Sequence, residues 1–145
     1  MFAGEGPMPV TADLLRLVPL FNGLTERSFE AIGNLAVEGD YAVGDTLVRQ
    51  GSPGESFIII VTGRATVERD GRTLRELGPG DFLGEISLVD GGPRTATVTA
   101  LDPIHAIVVQ REGFLELIDR IPVFRLDVLS CLTQRIRATA PDPLG

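Results

Sequence analysis

Lysine is absent from this chain of 145 residues: all 13 basic side chains are arginine. Set against 20 acidic residues they leave a net charge of −7, which excludes a broad basic face for direct nucleic-acid binding. An anion would have to be held by a local pocket, and arginine suits two-pronged capture of phosphate or carboxylate better than lysine does. Cysteine is reduced to Cys131, so no intrachain disulfide forms and the thiol reads as a small hydrophobe. Histidine is reduced to His105, whereas a mononuclear metal site gathers several imidazoles with carboxylates. No metal is expected, and His105, inside "IHAIVV", reads as a half-exposed strand residue. Ser28, Ser52, Ser56, Ser87 and Ser130 lack a G-x-S-x-G context, and only one imidazole is available as a base, so no enzyme is expected. Long apolar runs are missing too. The longest, Phe57 to Val61, is far too short to cross a bilayer, and "MFAGEGPMPV" has neither the basic segment nor the apolar core of a signal peptide. A cytoplasmic protein without a membrane partner is the default expectation.

Apolar residues make up 43% of the chain and mean hydropathy is +0.20, enough for one packed domain without staples. The pattern reads as helix, then short strands, then helix. Residues 11–18 suit a short helix ended by Pro19. Thr25 N-caps a second one, with Glu26 in its first turn and Phe29, Ile32, Leu35 and Ala36 on one face. Gly39-Asp40 breaks that period. From there turn signals recur at short intervals: Gly44-Asp45, Gly51-Ser52-Pro53-Gly54, Thr62-Gly63, Asp70-Gly71, Gly78-Pro79-Gly80, Gly91-Gly92-Pro93 and Asp102-Pro103. Between them lie "TLVRQ", "SFIIIV", "RATVERD", "RTLREL", "RTATVTA" and "IHAIVVQ", rich in β-branched residues. Asp70-Gly71 is the strongest hairpin signal. After Arg111 the period turns helical again: Phe114, Leu115, Leu117 and Ile118 suit a helix stopping before Pro122. Phe124, Val128, Leu129, Leu132 and Ile136 then form an apolar stripe that packs on the barrel or pairs two copies as a homodimer.

The expected fold is mainly β with flanking helices: an antiparallel jelly-roll-like barrel over about 37–110, N-terminal helices, and two C-terminal helices over about 112–138. The domain is expected at 11–138, between flexible ends at 1–10 and 139–145.

"FLGEISLVDGGPRTATVTA", residues 82 to 100, is over-specified for a sheet. Gly84 lets backbone approach a ligand, and "EISL" suits one helical turn presenting free N–H groups to a phosphate. Glu85 either caps that turn or accepts from a sugar hydroxyl. Pro93 fixes the chain before Arg94, whose guanidinium can fork onto phosphate oxygens; Thr95 adds a hydroxyl, and Arg94-Thr95-Ala96 opens a new alternating strand. A pocket for a small sugar phosphate fits these residues, and so does a Glu85–Arg94 ion pair stapling a loop.

Gly84-Glu85-Ile86-Ser87-Leu88 followed by Pro93-Arg94-Thr95-Ala96-Thr97-Val98 resembles the phosphate-binding cassette of the cyclic nucleotide-binding domain family. The resemblance extends to Gly44-Asp45, "QGSPGE", "FIIIVTGRATV" and "LGPGDFLGE", over roughly 14–138. Leu83 stands where the family often has Phe, and Phe82 sits one place earlier. The resemblance implies a jelly-roll fold and a cyclic nucleotide ligand, cAMP or cGMP; the bacterial-looking, all-arginine composition turns the expectation toward cAMP. Glu85 would accept the ribose 2′-hydroxyl. Arg94 would pair with the cyclic phosphate, helped by Thr95 and by N–H groups of Gly84, Ile86 and Ala96; Ser87 belongs to the same turn. Arg135 is the candidate lid over the base, covered further by Leu132 and Ile136, or else part of a solvated helix face. Thr95 also matches a position whose hydroxyl meets guanine in cGMP-preferring relatives, though threonine occurs there with cAMP as well. No helix-turn-helix, pore, kinase or cyclase segment is read from the chain. It is expected to be a stand-alone sensor or the binding part of a longer protein, with a degenerate interaction barrel as the alternative.

Overall fold

The computed structural model describes residues 12–16, 18, 21, 24–84 and 93–139. Two short helices lead in, α1 (Ala12–Leu15) and α2 (Glu26–Leu35). As the sequence predicts, Thr25 caps α2: its hydroxyl accepts from the Ser28 N–H at 3.2 Å, satisfying one of the helix's orphan donors. The helix then runs without a loop into β1 (Ala36–Tyr41). This corrects the sequence reading, which placed Ala36 on the helix face and a break at Gly39-Asp40. Ala36 already has an extended backbone, φ −118° and ψ 153°, and Gly39 lies opposite Ala106 in an antiparallel pairing with a later strand. A side chain on Gly39 would press Val108 at 3.2 Å. Gly39 therefore marks a close approach within a strand and not a turn.

The remaining strands are β2 (Thr46–Val48), β3 (Ser56–Thr62), β4 (Ala65–Arg69), β5 (Arg72–Leu77), β6 (Phe82–Leu83), β7 (Thr97–Ala100) and β8 (Ile104–Gln110). Asp70-Gly71 joins β4 to β5 with φ of 53° and 79°, the two positive values a type I′ hairpin needs. The strands form two four-stranded sheets, ordered β1-β8-β3-β6 and β2-β7-β4-β5. All the pairings are antiparallel. Among the described residues the sheets face each other without closing into one continuously bonded barrel.

Alternation along β3 and β8 builds two cores. Ile58, Ile60, Ile104 and Ala106 point between the sheets, where they meet Val67, Leu77 and Val98. Phe57, Ile59, Ile107 and Val109 point the other way, into a layer of helices. That layer holds α3 (Arg111–Arg120) and α4 (Pro122–Thr139), with Pro122 at the first helical position, where its missing N–H costs nothing. Phe114 and Leu117 of α3 and Phe124 and Val128 of α4 are buried there. Of the expected stripe, Phe124 and Val128 pack inward and Leu129 does not. Leu115 and Leu129 are exposed, because each lies about 100° around its helix from an inward neighbour. The side chains of Cys131, Leu132, Arg135 and Ile136 lie outside the described residues, as do 1–11 and 140–145. Among the described residues no helix is long and apolar enough to cross a membrane.

His105 is half-buried on β8, its Nδ1 2.7 Å from Asp40 Oδ1 and its Nε2 2.6 Å from Glu38 Oε1, both on β1. The hydrogen bond to Asp40, and then that to Glu38, hold its pKa above the ordinary histidine value against the opposing effect of burial. Raised pKa means bound protons stabilise the fold. The contribution is complete below an unfolded value of about 6.5 and is lost as pH rises through the higher folded value. His105→Gln should therefore be less stable than wild type by up to about 1 kcal/mol at pH 6, with the gap shrinking toward pH 9. Urea unfolding at both pH values checks this; parallel losses at both would remove the imidazolium from the account.

Candidate functional site

Arg94 is only 6% exposed, the one buried charged side chain among the described residues. Pro93 pairs with Pro53 in an isolated bridge, and the backbone of Arg94 is bonded both ways to the turn before β3. Its N–H donates to Ser52 O at 2.8 Å and its carbonyl accepts from Gly51 N at 2.9 Å. These bonds explain why β7 begins at Thr97 and not at Arg94 as the alternation suggested: the 94–96 backbone follows a turn instead of a ladder. The guanidinium Nη2 donates to the Ser56 carbonyl at 2.7 Å, with Ser56 Oγ at 3.4 Å.

Gly84, just past β6, closes over the same spot with φ 96°. A Cβ there would collide with Arg94 Nη1 and stand 2.6 Å from the Ser56 carbonyl. Both the backbone conformation and the close approach require glycine.

Arg94 forms one wall of a cleft of about 320 Å³, with Leu47, Val48, Ser52, Glu55 and Ser56 among the others. The volume falls within the range of small-molecule sites, and the lining combines an apolar strand, hydroxyls and a buried cation. A guanidinium so placed offers a directed fork to an anionic group that shares its low-dielectric surroundings. Among the described residues no group of three or more His, Cys, Asp or Glu is arranged to hold a metal ion.

Of the residues singled out from sequence, the fold brings Gly84 and Arg94 into contact. Thr95 is exposed and Ala96 partly buried against the inner core. Glu85, Ile86 and Ser87 lie outside the described residues, and so does the side chain of Arg135, whose backbone belongs to α4. Three contributors were missed. Ser56 reads locally as the start of a strand. Gln50 and Arg69 reach the 94–97 segment, Gln50 through its N–H to Thr97 Oγ1 at 2.9 Å and Arg69 through Nε to the Thr95 carbonyl at 3.0 Å. The turn signal at Gln50-Gly51 was visible; what the turn packs against was not.

The sequence model of the family described as cyclic nucleotide-binding domain matches residues 38–121, from β1 through α3. The CRP-like cAMP-activated global transcriptional regulator of Mycobacterium tuberculosis is 30% identical over 132 residues, 88% of this chain and 59% of that protein. The cGMP-dependent protein kinase, isozyme 2, of Drosophila melanogaster is 35% identical over 118 residues, 76% of this chain and 13% of the kinase. The crystal structure of Thermus thermophilus catabolite activator protein superposes with a TM-score of 0.73 at 31% identity, over 82% of this chain and 58% of that one. The chain thus spans about three-fifths of its bacterial relatives' length and a small part of the kinase. With the family match covering more than half its length, both sheets and the Gly84–Arg94 contact, the chain belongs to the cyclic nucleotide-binding domain family.

Proposed function

We propose that this domain is a cyclic nucleotide sensor that binds without turnover, prefers cAMP to cGMP and answers by repositioning its C-terminal helices. The observation that carries the reading is Arg94, a guanidinium buried at a cleft in a protein of net charge −7. Arg94 takes the cyclic phosphate, with Thr95 and the N–H groups of Gly84, Ile86 and Ala96 beside it. Glu85 accepts the ribose hydroxyl, Ser87 belongs to the cassette turn, and Arg135 covers the base. The preference for cAMP draws on the bacterial relative, named for activation by cAMP; cGMP is the rival, favoured by the kinase relative and the Thr95 hydroxyl.

Helix repositioning has a physical route. The first N–H of α3, that of Arg111, donates to the Glu55 carbonyl at 2.8 Å, so a turn lining the cleft is bonded directly to the helix layer. Such a switch works only if the ligand binds one helix arrangement more tightly than the other. The test is calorimetric titration with cAMP and with cGMP. Saturable one-site binding supports a working receptor and ranks the bases. Silence with both turns the reading toward a degenerate interaction barrel.

The proposed partners are the nucleotide and a second copy of the chain, with no direct nucleic-acid contact. Val123, Leu126 and Leu129 on α4 are 48%, 65% and 49% exposed, an apolar outer face opposite Phe124 and Val128. Leu126→Glu should convert a dimer to monomer in analytical ultracentrifugation. A monomeric wild type at the same concentration would remove the helix face from the account.

A further inference from the structure

Three segments distant in sequence meet beside Arg94, and Gln50 touches both of the others. Its side-chain amide forms a reciprocal pair with Asp70: Nε2 donates to Asp70 Oδ1 at 2.9 Å, and Oε1 accepts from the Asp70 N–H at 3.0 Å. Its backbone N–H donates to Thr97 Oγ1 at 2.9 Å. Asp70 is the one non-glycine residue with positive φ among those described, at 53°, a conformation that costs energy and persists where neighbours hold it. Next to it, Arg69 reaches the Thr95 carbonyl at 3.0 Å. The tip of the β4–β5 hairpin is therefore fastened to the residues that follow Arg94, directly at Thr95 and through Gln50 at Thr97. The 94–96 segment belongs to no strand, so point contacts set its position where a ladder would otherwise do so.

We propose that Gln50 is a positioning residue for the anion-binding guanidinium, holding the hairpin tip and Thr97 together so that the cleft is preorganised before ligand arrives. The proposal rests on the reading of the cleft as a cyclic nucleotide site. A neutral amide is the chemistry the position needs, because one end donates to a carboxylate while the other accepts from an N–H. Gln50→Glu would set two carboxylates against each other. Gln50→Glu combined with Asp70→Asn restores complementarity, since the introduced amide donates to the introduced carboxylate and the backbone N–H at position 70 keeps an acceptor.

The experiment is calorimetric titration of wild type, Gln50→Ala, Gln50→Glu and Gln50→Glu/Asp70→Asn with cAMP and cGMP, well below each variant's melting temperature. Affinity is expected to fall roughly three- to tenfold in each single variant and to return to within about twofold of wild type in the double variant. A lowered melting temperature with unchanged affinity would reduce Gln50 to a structural role and overturn the proposal while leaving the cleft reading intact. Failure of the double variant to recover affinity lost in Gln50→Glu would overturn the Gln50–Asp70 pair as the means. Wild type silent to both nucleotides would sink the cleft reading and the positioning role with it. If Gln50→Ala does not fold, the comparison of Gln50→Glu with the double variant decides the matter alone.

Discussion

Arg94→Leu is expected to abolish measurable cyclic nucleotide binding while leaving a folded domain. The substitution keeps much of the apolar volume and removes the charge and all five donors of the guanidinium. Losing one partner of a desolvated, hydrogen-bonded charge pair costs on the order of 2–5 kcal/mol, or roughly 30-fold to several-thousand-fold in affinity. Much of that loss is the penalty on the phosphate, which would enter a buried site without a counter-charge. Arg94→Lys separates charge from geometry: an ammonium retains the charge but cannot fork onto two phosphate oxygens, so its affinity should fall between the two. Titration with cAMP, alongside thermal melts of the three proteins, checks both points. Wild-type affinity in Arg94→Leu would take Arg94 out of the site. An equal loss in both variants would say that the planar fork, and not charge alone, is what the ligand needs.

What the sequence disclosed here follows from which interactions are local. Turn chemistry and period-two alternation are properties of neighbouring residues, so the Asp70-Gly71 hairpin, the Thr25 cap and the change to helix at Arg111 were all legible. β1 was hidden because its glycine looked like punctuation, and only the pairing of Gly39 with Ala106 shows it as a crossing point. Near the cleft, Gly84 and Arg94 were singled out from their residue types and spacing, and the fold brings them into contact. Ser56 was not, because it acts partly through its carbonyl, which every residue has. Gln50 and Asp70 stand 20 positions apart, and nothing in either neighbourhood indicates that a hairpin tip folds back onto a turn. The inward and outward sides of α4 were blurred for a related reason. Apolar residues occupy both faces, so the burial of Phe124 and exposure of Leu126 are decided by what the sheet presents to them.

Phe57→Ala is the substitution expected to cost most in stability. Its ring lies 4.7 Å from that of Phe114, 5.2 Å from Phe82 and 6.2 Å from Phe124, which ties β3 to β6, α3 and α4 in one aromatic cluster. Truncating a fully buried phenylalanine removes its transfer energy and leaves a cavity, at a cost of about 3–5 kcal/mol. Against the roughly 5–15 kcal/mol that holds a typical domain, that is about a fifth of the stability or more. Urea unfolding should register it as a large drop in midpoint; a loss under about 1 kcal/mol would mean that the helix layer collapses to fill the gap. The functional consequence follows from the pleat. Phe57 points into the helix layer, while the residue before it, Ser56, presents its carbonyl to Arg94 at 2.7 Å. One strand thus carries the packing of α3 and α4 through the Phe57 side chain and the seat of the guanidinium through the adjoining Ser56 carbonyl. The protein that remains folded in Phe57→Ala should therefore bind cAMP more weakly than wild type, though position 57 does not line the cleft. Ile107→Ala is the control: it opens a cavity in the same layer from β8, without adjoining Ser56 along the chain. If both variants lose stability but only Phe57→Ala loses affinity, β3 is the element through which nucleotide and helices sense each other. If both bind as wild type does, the cleft and the helix layer are energetically separate, and a ligand would have to reach the helices through the Arg111 N–H on Glu55 instead.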